Sequence, residues 1–352
     1  MTRFAKDDPI PGLMPTLQVE TVLAGIPFVF DIRGKRVESV HNVAFCIADA
    51  SGFIGAGTID EPVFLRSAWK PFFAAAMLHA NDRFEFSDAE VAVMCASHVA
   101  EPMQLAAVQS ILKKIDVPAS ALRCGRPSDT DFWDDPRLLS DPCSGKHAAM
   151  LAFCRILEAP LDGYLELTHP VQQRIRIFCE SLAGERFTED RIAIDGCGAP
   201  VYAVTLRSAA RLFCELACAT GGESTKTAAL RRVREAGVRY PDLIGGSATF
   251  DSTVMRSIGD GLYSKFGVGG VQCVGIPALR TGIALKVVDG ADHAGPPSML
   301  SLLEALQIYR AAEHIDLASF AEERVRNIAN VVVGRVAAIR HPLTYSVCRA
   351  SS

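Results

Sequence analysis

The segment Arg66-Ser67-Ala68-Trp69-Lys70-Pro71 sets a hydroxyl and an amine three residues apart. A serine hydroxyl is a weak nucleophile until a base removes its proton. Residues i and i+3 share one face of a helix, so Lys70 is expected beside Ser67 Oγ. A lysine serves as that base when burial or a neighbouring cation lowers its pKa. A lone Ser-x-x-Lys recurs by chance on solvated helix faces, so the pair gains weight only from what accompanies it.

Two further segments accompany it. Cys95-Ala96-Ser97-His98 closes an apolar run that starts near Asp88 and delivers Ser97 to a loop; the plainer role for Ser97 is a helix cap. Lys265-Phe266-Gly267 precedes the late apolar stretches, where the plainer reading is a solvated loop lysine. Ser-x-x-Lys, then Ser, then Lys-x-Gly is the order found in serine β-lactamases and penicillin-binding proteins. A third segment, Asp141-Pro142-Cys143-Ser144-Gly145-Lys146-His147, puts a glycine before a Lys-His pair at the head of a helix, which resembles an anion-binding turn. It is not a P-loop, because the first glycine and its spacing are missing. Cys143, with Cys197 of Asp195-Gly196-Cys197-Gly198, offers metal-binding sulfur, yet two isolated cysteines fall short of the four closely spaced ligands of a structural zinc site. On composition alone they read as buried thiols. His41, His79, His169, His293, His314 and His341 sit in no motif and read as structural residues.

The elements that must position these groups follow from hydrophobic period. Residues 19–30 read as a first strand, and 39–49 and 53–60 as two β runs around an Asp49-Ala50-Ser51-Gly52 turn. Helices are predicted over 67–80, 105–115, 146–157, 169–183, 200–218, 225–237, 297–312 and 315–328, with strands near 271–276 and 282–288. Residues 125–142, rich in Pro, Asp, Ser and Gly, read as a long loop of the kind that is often functional. Strands at both ends with helices between predict one sheet covered by helices, an α/β/α or α+β layer design. The 352 residues divide into an irregular arm (1–17), a single catalytic region (18–343) and a tail (344–352). Hydrophobic residues at 49%, charged residues at 22% and a net charge of −4 describe a globular chain without a polybasic patch, which argues against a nucleic-acid partner. No apolar run is long enough to span a bilayer, and the amino terminus lacks a signal-peptide core. Eleven scattered cysteines, several in apolar runs, point to a reduced compartment and so to the cytoplasm.

Taken in order, Arg66-Ser67-x-x-Lys70-Pro71, Cys95-Ala96-Ser97-His98, Leu122-Arg123-Cys124-Gly125, Cys143-Ser144-Gly145-Lys146-His147 and Asp195-Gly196-Cys197 resemble the Rhizobium etli-type (class 3) L-asparaginases. The resemblance runs from about Val40 to about Asp289, and Cys-Ser-Gly-Lys-His is its most specific part. It implies a serine β-lactamase/glutaminase-like fold, with a central, mostly antiparallel sheet and helices on both sides, and a homodimer. It implies hydrolysis of the side-chain amide of L-asparagine through two pairs, Ser67 with Lys70 and Ser97 with Lys265. It also implies zinc held by Cys143, Lys146 and Cys197, with Arg66, His147 and Asp195 around the substrate. The chain departs from the family pattern at Gly269, at Asp251 and in Val99-Ala100-Glu101-Pro102. The competing readings are another serine amidohydrolase or esterase on the same fold, and a non-enzymatic amino-acid- or zinc-binding protein.

Overall fold

The computed structural model describes residues 23–81, 83–124, 137–220, 224–340, 343 and 348–351. The arm 1–17 and most of the predicted loop (125–136) lie outside the described residues. In chain order the first strands are β1 (Ile26–Arg33), β2 (Arg36–Asp49), β3 (Gly52–Ala56) and β4 (Pro62–Phe64). Then come β5 (Ile192–Ile194), β6 (Pro200–Thr205), β7 (Tyr263–Gly267), β8 (Val271–Ile276) and β9 (Thr281–Val287). The last are β10 (Glu322–Arg326), β11 (Val332–Ala338) and β12 (Cys348–Ser351). The main sheet runs β10-β11-β1-β2-β9-β8-β7, with β3 on β2 and β12 on β3. Its neighbouring strands are antiparallel. β4, β6 and β5 make a separate small sheet.

Between these strands lie α1 (Lys70–Ala80), α2 (Asp88–Met94), α3 (Pro102–Lys114), α4 (Arg137–Ser140), α5 (Ser144–Leu157) and α6 (Pro170–Ala183). They are followed by α7 (Leu206–Cys218), α8 (Thr225–Arg239), α9 (Pro241–Ile244), α10 (Phe250–Ile258), α11 (Gly295–Ala305) and α12 (Ala318–Ala321). The inner strands are near-continuous apolar runs because both faces are covered: β8 is buried throughout, and β2 is buried from Val43 to Ala48. Gly275 of β8 lies against Phe213 and Ala217 of α7, while Gln272 lies against Gly295 of α11. Residues three apart in a strand point to opposite faces, so helices cover both sides of the sheet, as the resemblance implied. Among the described residues no helix is long and apolar enough to cross a membrane.

Two predicted helices are corrected. Residues 200–205 are β6, not the start of a helix. Pro-Val-Tyr-Ala-Val-Thr favours a strand through its β-branched and aromatic side chains. The helix begins only after Thr205, whose hydroxyl accepts the Ser208 N–H at 3.0 Å. The helix predicted over 315–328 is limited to a 3-10 turn (Ile315–Leu317) and α12; Glu322–Arg326 instead pairs with β11. A turn at Asn327–Asn330, with Asn330 at φ +62°, returns the chain. Strand pairing there overrides a weak helical period. Part of the predicted tail, Cys348–Ser351, extends the sheet beside β3.

Replacing Thr205 by Ala removes the cap of α7, the helix that covers β8 and β9. A loss of about 1 kcal/mol is expected, measured as a lower denaturant midpoint with an unchanged slope.

Candidate active site

Three close approaches build the pocket. The 3-10 turn Arg66–Trp69 leads into α1, and Trp69 anchors it. The indole donates to Tyr202 O at 2.8 Å, stacks on Phe73 and meets Phe72, Phe187 and Tyr202 edge-on. β7 then passes so near this turn that a Cβ on Gly267 would stand 2.2 Å from Leu65 O. Likewise α5 presses on α2 at Gly145, where a Cβ would stand 2.0 Å from Val93 O. Only glycine permits either approach. The glycines of Lys-Phe-Gly and Cys-Ser-Gly-Lys-His therefore serve to bring Lys265, Ser97 and Lys146 toward one point.

α2 starts on a capping box in which Glu90 N–H donates to Ser87 Oγ and Ser87 N–H donates to Glu90. Its far end delivers Ser97 to the pocket, and the Ser97 N–H is tied to Ile244 O at 2.8 Å. Ser97 Oγ lies 3.0 Å from Lys70 Nζ and 3.2 Å from Lys265 Nζ. Lys70 also donates to Ala96 O and Pro142 O, and Lys265 to Phe266 O. Thus the second expected pair, Ser97 with Lys265, is in hydrogen-bond contact. Lys70 reaches Ser97 rather than Ser67, although Ser67 faces the same pocket. Ser67 follows Arg66, which sits at φ +51°, a left-handed conformation that costs a non-glycine residue about 1–3 kcal/mol.

Both lysines are buried, and burial is the main cause pulling each below the ordinary lysine value. Lys265 comes down to about 8, with Asp251 opposing the fall and Lys70 adding to it. Asp251 of α10, marked in the sequence only as a departure from the family pattern, is the partner of Lys265. Its Oδ2 lies 3.6 Å from Lys265 Nζ and accepts the Phe266 N–H, while Oδ1 accepts from Ser264 and Gln272.

A sulfur-amine group adjoins the lysines. Lys146 Nζ is 2.9 Å from Cys197 Sγ. The Cys143 thiol is held well below the ordinary cysteine value, first by Cys197 and then, against burial, by Lys70 and Lys146. Cys197 is driven upward by the thiolate beside it. Burial lowers Lys146, but the two sulfurs outweigh it and leave the amine above its ordinary value. Arg66 Nε and Nη2 both donate to Asp195 Oδ1, at 2.7 and 2.6 Å. His147 is buried, with Nδ1 2.7 Å from the Tyr164 hydroxyl, and burial holds it well below the ordinary histidine value. His98 Nδ1 accepts the Ala100 N–H, so Nε2 carries the proton and donates it to Ser144 Oγ at 2.7 Å. Burial and Lys70 push His98 down to about 4.

Arg66, Ser67, Ser97, Cys143, Asp195 and Cys197 face a cavity of about 280 Å³, closed on another side by Phe266 and Val268. His147 is not among the residues lining it.

Fold and pocket together describe an α/β protein in which two buried lysines meet the Ser97 hydroxyl beside a cavity. The sequence matches the L-asparaginase II family over residues 29–338, and the chain belongs to that family. No curated protein matches it. Among solved structures it is similar to Mglu in its native form, at 17% identity and TM-score 0.43 over 75% of this chain and 61% of that one. Mglu in its glutamate form gives 18% identity and TM-score 0.42 over 76% and 61%. A candidate β-lactamase from Bacteroides dorei gives 13% identity and TM-score 0.39 over 74% and 93%. The chain spans about 61% of the length of the first of these structures.

A thiolate at Cys143 has a chemical signature. Iodoacetamide below neutral pH is expected to label Cys143 first, mapped by peptide mass spectrometry. Cys46, Cys95 and Cys154, pushed up to about 12 by burial, remain unlabelled.

Proposed function

We propose that this protein hydrolyses the side-chain amide of L-asparagine to L-aspartate and ammonia. The observation that carries the reading is the convergence of Lys70 and Lys265 on Ser97 Oγ in a pocket shared with Ser67, in a chain of the L-asparaginase II family. Arg66 and Asp195 put a cation and an anion at the pocket wall, which suits the carboxylate and ammonium of an amino acid.

The lysine geometry favours Ser97 as the attacking hydroxyl. The neutral form of Lys265 takes the Ser97 proton as Oγ attacks the amide carbon. The protonated form of Lys70 supplies a proton to departing ammonia; the neutral Lys70 then takes a proton from the water that attacks the ester, and Lys265 returns its proton to Ser97 Oγ as the acyl bond breaks. The Ser67 N–H, in the first turn of its helix, has no partner within that helix and suits an oxyanion, a contribution of about 3–4 kcal/mol per donor in other enzymes. The second reading keeps Ser67 as nucleophile with Lys70 as its base. It is favoured by the 3-10 geometry, which stacks residues i and i+3, and by the strained backbone that fixes Ser67 in the pocket.

Cys143, Lys146 and Cys197 suit zinc: two sulfurs and an amine are borderline-soft donors already gathered around one point. A bound zinc would neutralise the thiolates and act as a Lewis acid toward a substrate oxygen. Binding releases protons from the lysine and the thiols, so affinity falls as pH falls. A homodimer accords with exposed Ile328, Val331 and Val332 after β10 and with Val37 and Val40 of β2, apolar surface that a second copy would cover. Free thiols at Cys46, Cys95 and Cys154 suit the cytoplasm.

Ammonia release from asparagine, and little from glutamine, is expected with and without a chelator. Ammonia from glutamine alone would replace the substrate, and binding without release would remove the enzymatic reading. Ser97→Ala is expected to lose on the order of 10³-fold or more in kcat/KM; a larger loss in Ser67→Ala assigns the attack to Ser67 instead.

Because neutral Lys265 is the base, kcat/KM should rise with pH through about 8. Asp251 raises the Lys265 value, so Asp251→Asn is expected to move that limb to lower pH. A limb that stays in place removes Lys265 from the base role.

A further inference from the structure

Outside the pocket, Asp31, His41 and His293 bring three potential metal donors within 4.8 Å of one another. They come from three elements. Asp31 lies on β1, His41 on β2, and His293 in the 3-10 turn Asp292–Ala294 that leads from β9 into α11. The cross-strand register sets His41 opposite Val29, so Asp31 is its diagonal neighbour. His41 Nε2 is 3.1 Å from Asp31 Oδ2, and His293 Nε2 is 3.4 Å from Asp31 Oδ1. The His41 and His293 rings meet edge to face at 4.9 Å.

Two further observations point to an ion. Asp31 Oδ1 is buried and has no hydrogen-bond partner among the described residues. With the His293 ring 3.4 Å away but no hydrogen bond made, this oxygen is poorly satisfied, and a cation between it and the two rings removes the cost. His41 is also oriented as a ligand. Its Nδ1 makes the shorter bond, 2.7 Å to Asp289 Oδ2. With Nδ1 donating to Asp289, exchanging the Nε2 proton that faces Asp31 for an ion gives the arrangement found behind most metal-bound imidazoles. In tetrahedral geometry two donors about 2.0–2.2 Å from one zinc lie about 3.3–3.6 Å apart. The separations of Asp31 from the two rings, 3.1 and 3.4 Å, already fall close to that range, and donors up to 4.8 Å apart close by about 1 Å through rotation of the half-exposed His293.

We propose that Asp31, His41 and His293 form a second divalent-metal site, for zinc or a similar first-row ion, with Asp289 orienting His41. Two imidazoles and a carboxylate suit such ions better than calcium or magnesium. Three protein donors leave a coordination position to water. The ion ties β1 and β2 to the turn after β9, a join between the early and late halves of the sheet.

The test is metal content after dialysis of the full chain against zinc. Wild type should carry one ion more than His293→Ala, whatever the thiol site holds. Cobalt separates the two sites: sulfur ligands give intense charge-transfer bands, and the nitrogen-oxygen site gives weak ligand-field bands that His293→Ala alone should lose. His293 is a partly exposed side chain, and unchanged metal-free unfolding of that variant confirms the fold. Asp289→Asn should weaken binding about 10–100-fold. Equal metal counts in wild type and His293→Ala overturn the site, and an unchanged affinity in Asp289→Asn overturns the role given to Asp289.

Discussion

Three lysine side chains, Lys70, Lys146 and Lys265, are between 0% and 3% exposed around a single pocket. Moving an ammonium out of water costs several kcal/mol unless it is paired and hydrogen-bonded. Much of the local structure is compensation for that cost. Ala96, Pro142 and Phe266 turn their carbonyls inward, Asp251 stands behind Lys265, and the two sulfurs stand beside Lys146. Where compensation is incomplete, the lysine loses its proton more readily. Lys265 has one carboxylate at 3.6 Å and a second cation nearby, and comes down to about 8. Lys146, against two sulfurs, goes the other way. Similar side chains in one pocket thus acquire opposite tendencies from their immediate partners, which is how acid and base functions coexist near neutral pH.

That compensation demands rigid delivery. A displaced carbonyl would leave a buried ammonium unsatisfied, so the loops that present Ala96 and Pro142 are held from several sides. The Ser97 N–H is bonded to Ile244 O, the His98 N–H to Pro142 O, and the Ser144 N–H to Asp141 O. His98 and Ser144 bridge the ends of α2 and α5. Trp69 fixes the third wall through an aromatic cluster together with its indole bond to Tyr202 O. The same segments that carry reactive groups also carry the glycines at which backbones nearly touch. The motifs are packing statements as much as chemical ones.

This explains which parts of the site were legible in the sequence. Ser67, Lys70, Ser97, Cys143, Lys146 and Asp195 each sit in a short run whose residue types announce chemistry, and these runs do meet. The partnering of Lys70 with Ser97 was not legible, because spacing along a helix favours Ser67. A long flexible side chain follows the nearest carbonyls and hydroxyl, and those belong to the turn after α2, a contact that only tertiary approach creates. The pairing of Asp251 with Lys265 was hidden for the same reason: its partners Ser264, Lys265 and Gln272 lie on strands 13 to 21 residues away. In the fold, apolar runs such as Val43–Ala48 read correctly as covered strand. Residues 200–205 and 322–326 misled because a helical period in a short segment yields to an available strand partner.

The two candidate metal sites differ in what a proton does to them. At Cys143, Lys146 and Cys197 the metal-free state already holds a thiolate beside an ammonium. Protons there are partitioned among the ligands, and an ion must displace them. At Asp31, His41 and His293 the imidazole of His41 stands between two carboxylates, and an ion would take the place between His41 Nε2 and Asp31. The first cluster adjoins Lys70, so any ion there also changes the charge felt by the lysine that faces Ser97. The second is joined to the pocket only through the sheet, in which β2 pairs with β9, β9 with β8, and β8 with the strand that carries Lys265. Charge at the first site would therefore bear on the chemistry directly, whereas the second lies behind three strand pairings from Lys265.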